Sequence, residues 1–180
     1  MNDFYLKSPD YTMLEDILAF RKEFLDIGDS ISGSSNLQDY SDPEQWLKSL
    51  EFSEGNTYDF QGNPPSFQCV YVNGNSNSIV GMIQYRNNYD RKVTKYYGNI
   101  GYCIRPSERR KGYAKRMLSD MIFKCSGVGI KKLMLVCNVG NEGSKKVIVS
   151  NGGILQSVGD SDVKGILIET YKIDLPAFNR

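Results

Sequence analysis

Residues 132–137, Lys-Leu-Met-Leu-Val-Cys, constrain this chain's fold more than any other segment. A strand this apolar has no polar face to turn to water, so it belongs in the middle of a sheet covered on both sides. Its flanks supply the cover. Within residues 109–125, Ala114, Met117, Leu118, Met121, Ile122 and Cys125 recur at helical spacing. After the strand, Asn141 can cap a helix running to about residue 150, with Gly152 as its stop. Earlier, residues 11–27 line up Leu14, Ile17, Leu18, Phe24 and Leu25 on one helical face. Pro43 opens a short helix to about residue 50, capped by Ser41 or Asp42.

Between these helices the apolar period falls to two. Residues 67–72 and 78–85 read as strands joined by Asn-Gly-Asn-Ser-Asn, and residues 95–104 as a third strand that Pro106 ends. Residues 154–158 and 165–173 are the last two strands. Residues 28–42 and 53–66, rich in Gly, Ser, Asn and Asp, read as loops. The expected class is α/β (α+β), a mixed sheet with helices on both faces. A chain of 180 residues without repeats or an interdomain linker suits one domain over 1–180.

Absences narrow the chemistry. There is no histidine, which excludes imidazole general bases, Ser-His-Asp and Cys-His nucleophiles and HExxH zinc sites. Cys69, Cys103, Cys125 and Cys137 form no CxxC pair, so reduced thiols in a cytoplasmic protein without a metal are expected. No apolar run is long enough to span a bilayer, and the N-terminal residues do not read as a secretory signal. Charge is asymmetric. Residues 1–90 hold 5 Lys/Arg against 14 Asp/Glu, and residues 91–180 hold 17 against 7. Such a split fits two partners of opposite charge, or two faces that balance each other.

Two strand-to-helix junctions carry the chemical signal. Strand 95–104 leads into Arg109-Arg110-Lys111-Gly112-Tyr113-Ala114, an R-x-x-G-x-A turn before a long helix. First-turn N–H groups of a helix lack internal partners and attract anions, glycine permits close approach, and the surrounding cations add positive field. Strand 132–137 leads into Asn141-Glu142-Gly143-Ser144-Lys145-Lys146. Adjacent strands that each hand over to a helix open a crevice at their C-terminal ends. GxGxxG and GxxxxGK[ST] are both absent.

Together, YCIRPSERRKGYAKRML and VCNVGNEGSKKVIVSNGG resemble the GNAT (GCN5-related N-acetyltransferase) superfamily over most of residues 67–173. ISGSSNLQDY with Trp46-Leu47, and IVGMIQYR, are similar to a bacterial subgroup of acetyltransferases. The resemblance implies a mostly antiparallel sheet with a splayed crevice for acetyl-CoA, and transfer of acetyl to a primary amine by direct attack. It implies that backbone groups of Cys103 and Ile104 pair with the pantetheine arm and that amides of Arg109, Arg110, Lys111, Gly112, Tyr113 and Ala114 hold the pyrophosphate. Asn141 would bond the pantetheine region, with Ser144 and Lys145 or Lys146 near the nucleotide end. Two positions depart from the superfamily's pattern. The tyrosine that many members carry seven residues after the Asn is Ile148 here, and the histidine frequent in the subgroup is Asn99. Asn99 and Tyr102 are the catalytic candidates. The acidic first half suggests a cationic amine acceptor, met by Asp39 and Tyr40 in the loop at 28–42. A monomer or homodimer without nucleic-acid or membrane partners is expected. A non-catalytic acyl-CoA sensor is the rival reading, and a nucleic-acid binder a weaker one.

Overall fold

The computed structural model describes residues 4–53, 66–87 and 95–175. Its strands are β1 (Phe4–Lys7), β2 (Phe67–Asn73), β3 (Ser78–Tyr85), β4 (Ile100–Ile104), β5 (Lys132–Asn138), β6 (Ile154–Asp160) and β7 (Leu167–Asp174). Its helices are α1 (Leu14–Asp26), α2 (Pro43–Ser53), α3 (Tyr113–Gly127) and α4 (Glu142–Val149). They build one seven-stranded sheet in the order β1-β2-β3-β4-β5-β7-β6. Every neighbouring pair is antiparallel except β4 and β5.

Two cores sandwich the sheet. On one face α1 and α2 bury Ile17, Phe20, Phe24, Trp46 and Leu47 against Val70, Val72, Ile79 and Met82. On the other, Met117, Leu118, Met121 and Cys125 of α3 and Ile148 of α4 cover Leu133, Leu135 and Tyr171. Leu133 and Leu135 are essentially unexposed, as the apolar middle strand requires. The caps behave as their residue types predict. Asp42 Oδ1 accepts from the Glu44 N–H at 2.9 Å, and Gly152 ends α4 in a left-handed turn.

Several boundaries differ from the sequence expectation. The edge strand β1 was not expected, because four residues are too short to show a period. In α1 the buried stripe is Ile17, Phe20 and Phe24, whereas Leu18 and Leu25 face outward. The strand expected at 95–104 begins only at Ile100. Residues 95–97 make a helical turn, which Gly98 at φ 69° turns into the strand. The helix expected from residue 109 begins at Tyr113, because Arg110 and Gly112 are left-handed. The loop expected at 53–66 lies outside the described residues, its end residues apart.

The charge halves meet inside the molecule. Arg105, at the end of β4, pairs with Asp16 at 2.7 Å and Glu23 at 2.6 Å, both on α1. Burial of the Glu23 carboxyl opposes its ionisation, yet bonds from Arg105 and Ser107 outweigh this and hold its pKa below the usual value.

Candidate active site

β4 follows β3 along its whole length but touches β5 at one pair only, Ile100 with Leu135. Beyond that pair the two strands part. The Arg105 N–H donates to Val80 of β3 at 2.9 Å. Strand alternation then turns the N–H groups of Cys103 toward β3 and those of Tyr102 and Ile104 toward the opening. A cavity of about 650 Å³ occupies the opening. Of the residues expected to hold acetyl-CoA, Cys103, Ile104, Arg109, Arg110, Gly112, Tyr113, Ala114, Asn141, Ser144 and Lys146 line it, and Lys111 does not.

The turn before α3 is shaped for an anion. Arg110 at φ 65° and Gly112 at φ 83° direct successive amides into a concavity. Among the described residues, the N–H groups of Arg110, Lys111 and Gly112 donate to no backbone carbonyl. A Cβ on Gly112 would meet no protein atom within 4 Å, so that position faces open space. The cations are divided. The Arg109 guanidinium is engaged by the Ile104 carbonyl at 3.1 Å and Asp29 at 2.7 Å, over the Phe24 ring. Lys111 pairs with Glu108 at 2.9 Å. Arg110, Lys115 and Lys146 remain at the cavity wall without an ion pair among the described residues.

At the second junction Asn141 Oδ1 accepts from the Ser144 N–H at 3.0 Å, closing the N-cap of α4. Lys145 turns away to Glu169 at 2.9 Å, leaving Lys146 at the cavity. Ile148 is 1% exposed, belongs to the core and does not line the cavity. Tyr102 does reach it. Its hydroxyl donates to the Ser144 carbonyl at 3.4 Å, and burial pushes its pKa up to about 12. Burial likewise pushes the Cys103 thiol to about 12 and the Cys137 thiol to about 11, so neither is a thiolate at neutral pH.

Asn99, the other catalytic candidate, lies within the sheet. It is 2% exposed and lines neither this cavity nor the next. Its Oδ1 accepts from the Met134 N–H at 2.8 Å, and its Nδ2 donates to the Arg86 carbonyl at 3.0 Å. It is a joint between β3, β4 and β5.

A second cavity, about 730 Å³, lies on the α1–α2 side of β4 and shares Ser30 and Ser32 with the first. The loop at 28–42 forms most of its wall. Gly33, at φ 70°, sits so close to β4 that a Cβ would fall 2.1 Å from the Gly101 carbonyl. The Trp46 indole N–H donates to the Ser34 carbonyl at 2.8 Å and pins the loop from behind. Tyr40 lines this cavity as expected, but Asp39 is exposed and outside it. Arg86 and Tyr97 complete the wall, and sequence reasoning missed both. One signal was available, since Arg86 is the sole Lys or Arg in residues 49–90.

A parted parallel strand pair, with two strand-to-helix turns converging on the gap, defines an acyl-CoA-dependent transferase. The acetyltransferase (GNAT) family model matches residues 33–152, and the chain belongs to that family. It is an enzyme that transfers acetyl from acetyl-CoA to an amine. The fold is shared with ribosomal-protein-S5-alanine acetyltransferase from Vibrio fischeri (TM-score 0.72, 15% identity, 100% of this chain and 97% of that one). It is shared with the ribosomal L7/L12 alpha-N-protein acetyltransferase RimL in complex with coenzyme A (TM-score 0.71, 15% identity, 97% and 96%). A third is the microcin C7 self-immunity acetyltransferase MccE in complex with acetyl-CoA and AMP (TM-score 0.70, 15% identity, 97% and 94%). No curated protein sequence matches significantly. Among the described residues no helix is long and apolar enough to cross a membrane.

Proposed function

We propose that acetyl-CoA lies along the first cavity and that the amine enters through the second. The observation that carries this is the single cavity at the β4–β5 parting that gathers both junctions. The amides of Arg110 through Ala114 take the pyrophosphate, with Arg110 and Lys146 supplying charge. The N–H groups of Tyr102 and Ile104, turned to the opening, supply the missing rungs for the pantetheine arm. Asn141 and Ser144 flank that arm.

Acetyl-CoA supplies the thioester. The amine nitrogen bonds the carbonyl carbon as the C–S bond breaks, and much of the catalysis is positioning. An opening-facing amide polarises the carbonyl oxygen. The Tyr102 hydroxyl, fully protonated at neutral pH, donates toward the leaving sulfur. The amine proton leaves through water, because no carboxylate lines the second cavity among the described residues. An acyl-cysteine route has no support from thiols held protonated by burial. The cationic acceptor expected from the acidic first half also loses its support. Asp39 stands outside, Asp29 is paired with Arg109, and the charge in the second cavity is Arg86. Four buried cysteines outside any disulfide support a reducing, cytoplasmic compartment, and a monomer is the simplest assembly that lines both cavities from one chain.

Calorimetry with acetyl-CoA, followed by thiol release across a broad amine panel, tests this. Binding with turnover is expected. Binding without turnover of any amine favours the sensor reading, whose support is Ile148 in place of a tyrosine.

A further inference from the structure

The second cavity holds a cation without a counter-ion. Arg86 follows β3 and is half-buried. Its Nη1 donates to the Tyr97 and Gly98 carbonyls at 3.3 and 3.4 Å, both long contacts. Among the described residues no carboxylate pairs with it, although Arg105 and Arg109 beyond the far end of β4 are both matched to acids. Burial lowers its pKa, and the neighbouring Tyr97 hydroxyl offsets this only in part. Its Nη2 lies 2.4 Å from where a Cβ on Gly101 would stand, so the glycine is what admits the guanidinium to β4. Gly101 is one to two residues, roughly 3–7 Å along a strand, from Tyr102 and Cys103 at the expected transfer point. The rest of the wall is mostly hydroxyls, amides and a tyrosine: Ser30, Ser32, Ser34, Gln84 and Tyr97.

The geometry points to an acceptor that carries a carboxylate a few bonds from its amine, with Arg86 as the residue that binds that carboxylate. This rests on the proposed division of the two cavities between donor and amine. A guanidinium presents a fork that matches a carboxylate in plane. Among the described residues the cavity wall holds one arginine and no lysine, which matches a single negative charge better than a phosphate dianion. Arg86 acts on acceptor recognition and leaves the thioester site untouched.

The test uses the whole chain with acetyl-CoA and amines that differ only in the acid group: amino acids, their amides, the amines lacking the carboxyl, and the phosphonate analogues. Thiol release should favour the carboxylates at least tenfold in kcat/KM. Arg86→Gln should abolish that preference through KM while leaving acetyl-CoA affinity unchanged, and Arg86→Lys should keep part of it. The same pairs are compared by thermal stabilisation of the CoA-bound protein, which needs no turnover. Acids should stabilise wild type more than amides do, and Arg86→Gln should erase the difference. Thermal unfolding without ligand checks that the variants fold. Equal response to acids and amides, a preference that survives Arg86→Gln, or an Arg86-dependent preference for phosphonates overturns the inference. Each of these leaves acetyl transfer standing, whereas failure to bind acetyl-CoA removes the underlying reading itself.

Discussion

The two cavities on either side of β4 are built from different materials. The cavity proposed for the donor is lined chiefly at two strand-to-helix junctions, in Arg109–Ala114 and Asn141–Ser144, where helices begin and first-turn amides lack internal partners. The cavity proposed for the acceptor is lined mostly by one loop, from Ser30 to Tyr40, to which the fold adds side chains from other stretches: Gln84 and Arg86 from the end of β3, and Tyr97 before β4. Backbone amides recognise what every acyl-CoA shares. Side chains recognise what distinguishes one amine from another. A substitution on one side of β4 should therefore leave the other side's ligand alone, and four variants sharpen or break that rule.

The largest effect is expected from Gly112→Asp. The left-handed backbone disfavours any side chain there, and a carboxylate would project into the space proposed for the pyrophosphate. Affinity for acetyl-CoA should fall by a factor on the order of 100 or more, corresponding to roughly two charge-assisted bonds, alongside a modest fall in melting temperature from the strained backbone. Calorimetry giving wild-type affinity would move the phosphate site elsewhere.

Tyr102→Phe should lower kcat by roughly a factor of 100, in the range of one general acid, with the KM for acetyl-CoA unchanged. In wild type the tyrosine, with its pKa near 12, remains protonated through neutral and mildly alkaline pH, so the rate should show no loss from its ionisation there. A kcat within twofold of wild type in the phenylalanine variant would reduce Tyr102 to packing.

Trp46→Phe keeps the aromatic bulk but leaves the buried Ser34 carbonyl without its indole donor. Stability should fall by about 1–3 kcal/mol, read by denaturant unfolding. The loosened loop should raise KM for the acceptor and not for acetyl-CoA. Equal shifts in both would show that the cavities are mechanically one.

Asp39→Asn should do least. The residue is exposed and outside both cavities, so both KM values should stay within about twofold of wild type, as expected of a screened surface charge. A large rise for a cationic amine would restore an electrostatic role for the acidic half.

The same contrast sets what was legible in the sequence. Sheet, helices and donor cavity could be read because their signals are local: the apolar run Leu133–Cys137, the 3.6-residue stripe of α3, the R-x-x-G-x-A turn and the Asn141 cap. Arg86 could not be placed, since only the pairing of Tyr85 with Ile100 brings it beside Gly101. The burial of Asn99 is hidden in the sequence for a related reason. A polar residue at the mouth of a strand looks functional until its partners, the Met134 amide and the Arg86 carbonyl, are known. The charge halves were legible as numbers, but their meaning lay in contacts such as Arg105 with Asp16 and Glu23, which span more than eighty residues.

The parting of β4 from β5 also leaves the sheet a seam of few hydrogen bonds. β1–β4 and β5–β7 are each laced by long antiparallel ladders, yet between them stand one paired rung, Ile100 with Leu135, a bridge at Gly98, and the bonds of Asn99. Such a seam is where native fluctuations open first, because few bonds must break there. A donor molecule lying in the gap adds rungs that the polypeptide omits. Bound as proposed, acetyl-CoA would be a tie between two halves as well as a reactant, and the enzyme would be most nearly a single solid when loaded for transfer.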